Sequence, residues 1–347
     1  MNGKQLTALV VLVALVAAAG WVIHQRGNDS WQSADQTIGG KLLPNFPIND
    51  VAQINIGSGS NQLTLARGGA VWTVRQRGGY PADFSQISSL LMKLANLKIV
   101  QREETGPSEL ARFDLAPSGA AAHAGTWLQL TDQNGKTVAS LLLGKEHMNQ
   151  PANGQGWPDG RYILANSNQS DVVVVSETFD NVAPRPADWL DKSFFNVANP
   201  KSIAVTFPVA TNSWKLARAS ETNDWKLAHP RPGEKLDTSK VADVTDSFDS
   251  PSFNDVSPGA AAPTNAATVT IETFGGTNYL AKIWPSANDN DSMTIAIDSA
   301  KAGKKASVPG LFANWTYQVP SYTFDSLLKA RTNLLEVTVP TEVRAAK

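Results

Sequence analysis

Positions 63–74 read LTLARGGAVWTV, and positions 214–227 read WKLARASETNDWKL. A chain that spells Leu-Ala-Arg and then Trp-x-apolar twice has to build one small unit two times, and this repeat constrains the fold more than any other feature. The flanking residues extend the match. Ile54-Asn55-Ile56 answers Ile203-Ala204-Val205, Leu65-Ala66-Arg67 answers Leu216-Ala217-Arg218, and Trp72-Thr73-Val74 answers Trp225-Lys226-Leu227. Each of these is alternating, as half-buried strands are. The loop between the last two pairs is two residues longer in the second copy, a change that a hairpin tip tolerates.

The period then switches. Asp83 with Ile87, Leu90 and Leu94 matches Asp237 with Val241, Val244 and Phe248. Spacings of three and four after an Asp predict a capped amphipathic helix in each copy, with Asp83 and Asp237 as N-caps rather than as a pair of catalytic carboxylates. Asp114-Leu115-Ala116-Pro117 is matched to Asp255-Val256-Ser257-Pro258, and the offset between copies falls there from 154 to 141. On this reading the second copy lacks most of residues 100–112, where residues 108–112 predict a short helix. Next, Leu128-Gln129-Leu130, Asn134-Gly135 and residues 141–143 match Val269-Thr270-Ile271, Gly275-Gly276 and Lys282-Ile283. Asn-Gly and Gly-Gly turns between alternating strands predict a hairpin in each copy. Residues 162–164, 172–175 and 179–180 complete the unit, matched by 294–297, 315–319 and 324–325.

The predicted fold class is α+β: two tandem homologous β-rich domains at 45–198 and 199–338, each with antiparallel hairpins and one main helix, and a short tail at 339–347. Trp72, Trp127, Trp225 and Trp315 fall on the alternating pattern and are expected in the core. Trp31 and Trp157 are expected to be exposed.

Residues 6–23, LTALVVLVALVAAAGWVI, carry no charge. About 20 apolar residues cross a bilayer, so a transmembrane anchor is predicted within residues 1–26, followed by a polar linker at 27–44. Lys4 before the segment and Arg26 after it place the N-terminus inside and the body in the periplasm, tethered to the inner membrane. Ala17-Ala18-Ala19 offers a signal-peptidase site as the alternative. The apolar run continues past it through Trp21, Val22 and Ile23, which favours the uncleaved anchor. Ala14 and Ala18 are four apart and share a helix face with Trp21, so these three are the candidates for contacts with other membrane helices.

Composition excludes several function classes. The chain has no cysteine and a formal net charge of -1 over 347 residues. Disulfides, thiolate metal sites, cysteine nucleophiles and a lipidated N-terminal Cys are therefore out. So is the concentrated basic face of a nucleic-acid binder. The string Gly57-Ser58-Gly59-Ser60 lacks the spacing of a nucleophile elbow and reads as a hairpin tip. His24, His123, His147 and His229 have no zinc spacing. Asp289-Asn290-Asp291 lacks the Gly and terminal Glu of a calcium loop and reads as a solvated turn. Catalytic, cofactor and metal residues are accordingly expected to be none. One candidate remains for ligand contact, the Gly-rich stretch 154–160 and its border, with Trp157, Asp159 and Arg161.

Several of these pieces, in this order, resemble the domain-of-unknown-function 4340 family of bacteria. They are Trp72, then Pro81-x-Asp83, then Glu109 through Pro117, Leu143-Gly144-Lys145, Arg161-Tyr162, and Asp188-Trp189-Leu190-Asp191-Lys192. Two departures stand out: Asp114 where the family usually has Gly, and the small-residue run GAAAHAG at 119–125. The resemblance implies a single-pass, exported, β-rich protein whose partners are ABC-type permease or auxiliary subunits similar to those associated with gliding motility. The function expected from it is a non-catalytic accessory or docking subunit of such a transport system. An envelope polysaccharide- or peptide-binding module is the alternative, and a hydrolase with dispersed residues the third.

Overall fold

The computed structural model describes residues 38–116, 124–150, 154–165, 171–299, 312 and 314–336. The 6–23 segment with Ala14, Ala18 and Trp21 lies outside them, as do Trp31, His24, His123 and the 339–347 tail. Among the described residues no helix is long and apolar enough to cross a membrane.

Two antiparallel sheets and few helices make up the described chain, an α+β fold. The strands of the first are β1 (Gln53–Ser58), β2 (Asn61–Gly68), β3 (Val71–Val74), β4 (Tyr80–Pro81), β5 (Ile99–Glu104), β6 (Thr126–Thr131), β7 (Thr137–Asn149), β8 (Trp157–Ala165) and β9 (Asp171–Val175). Those of the second are β10 (Pro200–Thr206), β11 (Trp214–Ala217), β12 (Lys226–Leu227), β13 (Asp255–Pro258), β14 (Ala267–Thr273), β15 (Thr277–Pro285), β16 (Asn290–Ser299) and β17 (Trp315–Pro320). The helices are α1 (Phe84–Asn96) and α2 (Thr238–Asp246).

The chain divides into two compact units, one holding residues up to Ile48, Met92–Gly125 and Leu141–Asp180, the other Asn49–Leu91, Thr126–Ser140 and everything from Asn181. In the first unit the strand order is β7-β8-β9-β5. One of its core clusters is Leu110, Phe113, Leu115, Leu164 and Val172, with Leu142 and Tyr162 packed against them. The second unit contains the run β4-β3-β2-β1-β6 and the whole second sheet, ordered β12-β11-β10-β14-β15-β16-β17-β13. The runs correspond: β3-β2-β1-β6 repeats as β12-β11-β10-β14, and β7-β8-β9-β5 repeats as β15-β16-β17-β13.

Local chemistry explains the elements. Asp83 Oδ1 accepts from the Ser85 and Gln86 amides at 2.8 and 3.2 Å, and Asp237 Oδ1 from the Ser239 amide at 2.9 Å, so both helices start on the predicted caps. Ile87, Leu90 and Leu94 are buried, as are Val241, Val244 and Phe248. The turn between β6 and β7 closes through Asp132, whose carboxylate accepts from the Asn134 and Lys136 amides, with Gly135 at φ 77°. Asp114, the departure from the family's Gly, has φ 55° and caps the 3-10 turn Pro107–Phe113. Asp tolerates this left-handed region better than most side chains, which explains how it stands in for Gly.

Three expectations need correction. The second sheet does have a counterpart to residues 99–104: β13 pairs with β17 as β5 pairs with β9. What it lacks is the following 3-10 segment, because pairing with the last strand, not the Asp-x-x-Pro spelling, defines the position. Of the four tryptophans expected in the core only Trp72 is buried, while Trp127, Trp225 and Trp315 are half-buried. Among the described residues Trp189 and Trp214 are also buried, their Nε1 groups donating to the carbonyls of Ala183 and Lys329. Asp291, read as part of a solvated turn, is enclosed at 8% exposure, and burial pushes its carboxyl above the usual range.

Candidate binding face on the β7–β8 arm

The first unit carries a long hairpin. β7 and β8 pair from Leu141↔Ala165 to Asn149↔Trp157, with irregularities after Leu143 and after His147. β9 is paired to β8 only from Leu164 back to Arg161. Residues 157–160, read from sequence as loop, therefore belong to β8 and continue as a two-stranded arm beyond the β9 pairing. The second irregularity leaves Asp159 without a cross-strand partner and lets its carboxylate meet His147 Nδ1 at 2.6 Å. That bond orients the imidazole, whose ring lies 5.6 Å from the Tyr162 ring, edge to face.

Tyr162 anchors the rest of the face. Its ring packs on Phe113 at 4.6 Å, and Lys145 Nζ sits 5.6 and 5.8 Å from the two ring centroids. Arg112 covers Phe113 at 5.4 Å. Cations over ring faces gain about 0.5–1 kcal/mol each at exposed sites, so these long side chains are partly pre-ordered. Desolvation pushes the Tyr162 hydroxyl above its ordinary range; Glu103 and Asp159 add to this and Arg112 opposes it.

The three residues proposed from sequence for ligand contact occupy different environments. Trp157 is 52% exposed, and Met148, one residue from its cross-strand partner, is 44% exposed. Asp159 is held by His147. Arg161 points inward: Nε donates to the Gly144 carbonyl at 2.7 Å and Nη1 to those of Thr178 and Phe179 at 2.8 and 3.3 Å. Its guanidinium is lowered by desolvation, with Glu146 and Asp180 opposing. Arg161 staples β8 to the turn after β9. Lys145, Tyr162 and Phe113 had been read only as parts of a signature, because ring-on-ring and cation-on-ring contacts across strands leave no local period.

An Asp-oriented imidazole is one component of a general base. This one packs on the Tyr162 ring, whose other neighbours are the Phe113 ring and the Lys145 ammonium, an arrangement suited to recognition. Among the described residues no cluster of three or more His, Asp or Glu side chains is placed to hold a metal ion. A polar groove of about 470 Å³ in the second unit is lined by Gln53, Arg67, Arg75, Asp132 and Gln133. Its Arg67 is committed to the carbonyls of Asn49 and Gly69, and its Asp132 to turn amides.

A second convergence lies inside the second unit, where residues 77–83 meet residues 253–258 and 315–317. Arg77 forms a two-pronged ion pair with Asp255 at 2.6 and 2.7 Å. Tyr80 is inserted edge-on among Phe253, Trp315 and Tyr317, at 5.9, 5.2 and 6.2 Å. Gly78, at φ 63°, lies so close to Pro258 that an added Cβ would stand 2.8 Å from its Cγ. Residues 188–192 bind to both partners of this joint. The Trp189 carbonyl accepts from the Asp83 amide, the Asp191 amide donates to the Pro81 carbonyl, and Lys192 Nζ donates to the Phe253 and Asn254 carbonyls. Lys192 is also 4.7 Å above the Phe253 ring, and burial lowers its ammonium below the ordinary range while Asp255 and Asp188 oppose this.

The family described as a domain of unknown function (DUF4340) matches residues 72–269. No curated protein and no solved structure shows significant similarity to the chain.

Proposed function

The chain belongs to the DUF4340 family, and from that premise we propose that it is a membrane-tethered periplasmic docking subunit of an ABC-type transport system that works by binding rather than by catalysis. The observation that carries this reading is the joint. Lys192, in the 188–192 stretch that resembles the family, donates to the Phe253 and Asn254 carbonyls of the second copy, while Pro81, Ala82 and Asp83 hold that stretch within the first copy. We read the result as a platform that joins part of the first copy to the second, and a platform serves docking better than turnover. The platform itself we read as a duplication, with domains at 45–198 and 199–338, supported by the matching strand orders. The tether is residues 6–23, with Ala14, Ala18 and Trp21 as the face offered to permease or auxiliary helices in the inner membrane.

The test is purification of the full chain from membranes in mild detergent, followed by identification of what accompanies it. Permease subunits are expected with the parent. They should be lost from the Ala14→Leu/Ala18→Leu variant at unchanged membrane content, since enlarging both residues prevents close helix approach. A parent that brings down no transport subunit overturns the reading. The exposed Trp157 favours the second reading, an envelope polysaccharide- or peptide-binding module, in which that ring stacks on a ligand.

A further inference from the structure

We propose that the β7–β8 arm lies against the lipid bilayer, with Trp157 and Met148 seated in the interfacial layer. This rests on the membrane-tether reading above and adds to it a second, peripheral contact with the same membrane.

The argument starts from where the chain joins the first unit. The Gly39 amide donates to the Ile99 carbonyl at 2.8 Å, and the Ile99 amide to that of Gly40 at 3.0 Å. Ile99 is the first residue of β5 and pairs with Val175, the last residue of β9, which in turn pairs with Arg161 of β8, itself opposite Glu146 of β7. These four residues form one row across the unit, and that row ends the β5–β9 ladder. The arm projects beyond it. The tether therefore joins at the end of the sheet that bears the arm.

Chain length brings that end to the membrane. Residues 24–37 separate the apolar segment from the first described residue. Fully extended they span at most about 50 Å at 3.3–3.6 Å each, so the arm cannot drift far from the surface.

The exposed chemistry at this end fits an interface. Ile38, Met148 and Trp157 are all solvent-exposed, at 67%, 44% and 52%. Trp prefers the headgroup level, where its ring meets apolar chains and its N–H meets water. Lys41 and Lys98 face each other across an isolated bridge, and Lys145 lies on the arm, all three exposed. They suit an anionic leaflet. The neighbouring carboxylates are engaged: Asp159 by His147 and Glu177 by Lys93 at 3.0 Å, while Glu146 and Asp180 act on the Arg161 guanidinium.

The chain has no cysteine, so single reporters can be placed in the full-length protein. Trp157→Cys, Met148→Cys and Glu104→Cys are labelled with an environment-sensitive fluorophore and reconstituted into phosphatidylethanolamine–phosphatidylglycerol vesicles. Glu104 ends β5 at the side opposite the arm. The labels at 157 and 148 are expected to shift to the blue and to be quenched by spin-labelled lipid several-fold more than the label at 104. The Met148 reporter decides the matter if the Trp157 variant does not fold. Vesicle-bound chain whose labels at 157 and 148 match that at 104 overturns the arm contact and leaves the tether standing. A blue shift seen only in native membranes containing other proteins also overturns it, in favour of a protein occupant. Chain that does not float with the vesicles overturns the tether and the arm contact together.

Discussion

Trp72 is 5% exposed on β3, whereas Trp225, at the matched position, is half-buried with the Arg218 guanidinium 4.8 Å above its ring. Trp72→Ala is expected to cost about 3–5 kcal/mol, the usual loss for a truncated core aromatic. Trp225→Ala should cost only about 1–2 kcal/mol, from partial burial and the cation contact. Urea unfolding of the two variants checks this, and equal losses would contradict the assigned environments. The ion pair of Arg331 with Glu234, 2.6 Å between Nη2 and Oε2, supplies a pH signature. Hydrogen bonds from Arg331, then from the Arg231 amide, hold the Glu234 carboxyl down at about 2. A lowered carboxyl stabilises the fold above its unfolded pKa, and the contribution is lost as pH falls through the folded value. Stability of the parent should therefore exceed that of Glu234→Gln by a constant margin above about pH 5, shrinking to zero as pH approaches 2. A margin independent of pH down to 2 would refute the assignment.

At the level of elements, the caps are the separable contributors. Asp83 and Asp237 each accept backbone donors of a first helical turn that would otherwise be unsatisfied. Replacing either by Ala should lower stability by about 1 kcal/mol, while Asn, which still accepts, should recover most of it. Thermal unfolding of the four variants tests this; an Asn variant as unstable as the Ala variant would mean that the carboxylate acts by charge alone. Asp83 holds residues 188–192 as well as the helix, because its own amide donates to the Trp189 carbonyl. The later helix, α2, is shorter than α1, and among the described residues no 3-10 turn follows β13 as one follows β5.

For the molecule as a whole, the joint decides whether the second unit behaves as one cooperative block. Arg77 and Asp255 are partly shielded and two-pronged, so a double-mutant cycle with Ala should give a coupling of about 1 kcal/mol. Strict additivity would show that the pair contributes nothing to joining the copies. The buried hydroxyls of Tyr80 and Tyr317 add an alkaline signature. They face each other without a well-formed hydrogen bond, and burial pushes Tyr80 up to about 12 and Tyr317 higher still. A raised tyrosine stabilises below its unfolded pKa, and that contribution is lost as pH rises through the folded value. The Tyr80→Phe/Tyr317→Phe variant should match the parent within about 1 kcal/mol at neutral pH, since both orphaned hydroxyls go together. It should outlast the parent above pH 10. Identical alkaline unfolding would place the two hydroxyls in contact with water.

Those strands, turns and helices were legible in the sequence that are written in a short-range signal: alternation in β1 and β10, Asp caps at 83 and 237, Asn-Gly and Gly-Gly at the hairpins; β5, β13 and the start of β8 were not. The reading of a repeat rests on the same signals, which recur in the same order in the sequence. Which of two matched indoles is buried was not legible, since Trp72 and Trp225 differ in what covers them and not in their own strands. Nor was the inward turn of Arg161 toward three carbonyls, or the meeting of Pro81 and Asp83 with residues 188–192, more than 100 positions away. These contacts join residues remote in sequence. A local period records which side of a strand faces inward, and only the packed structure determines what lies there.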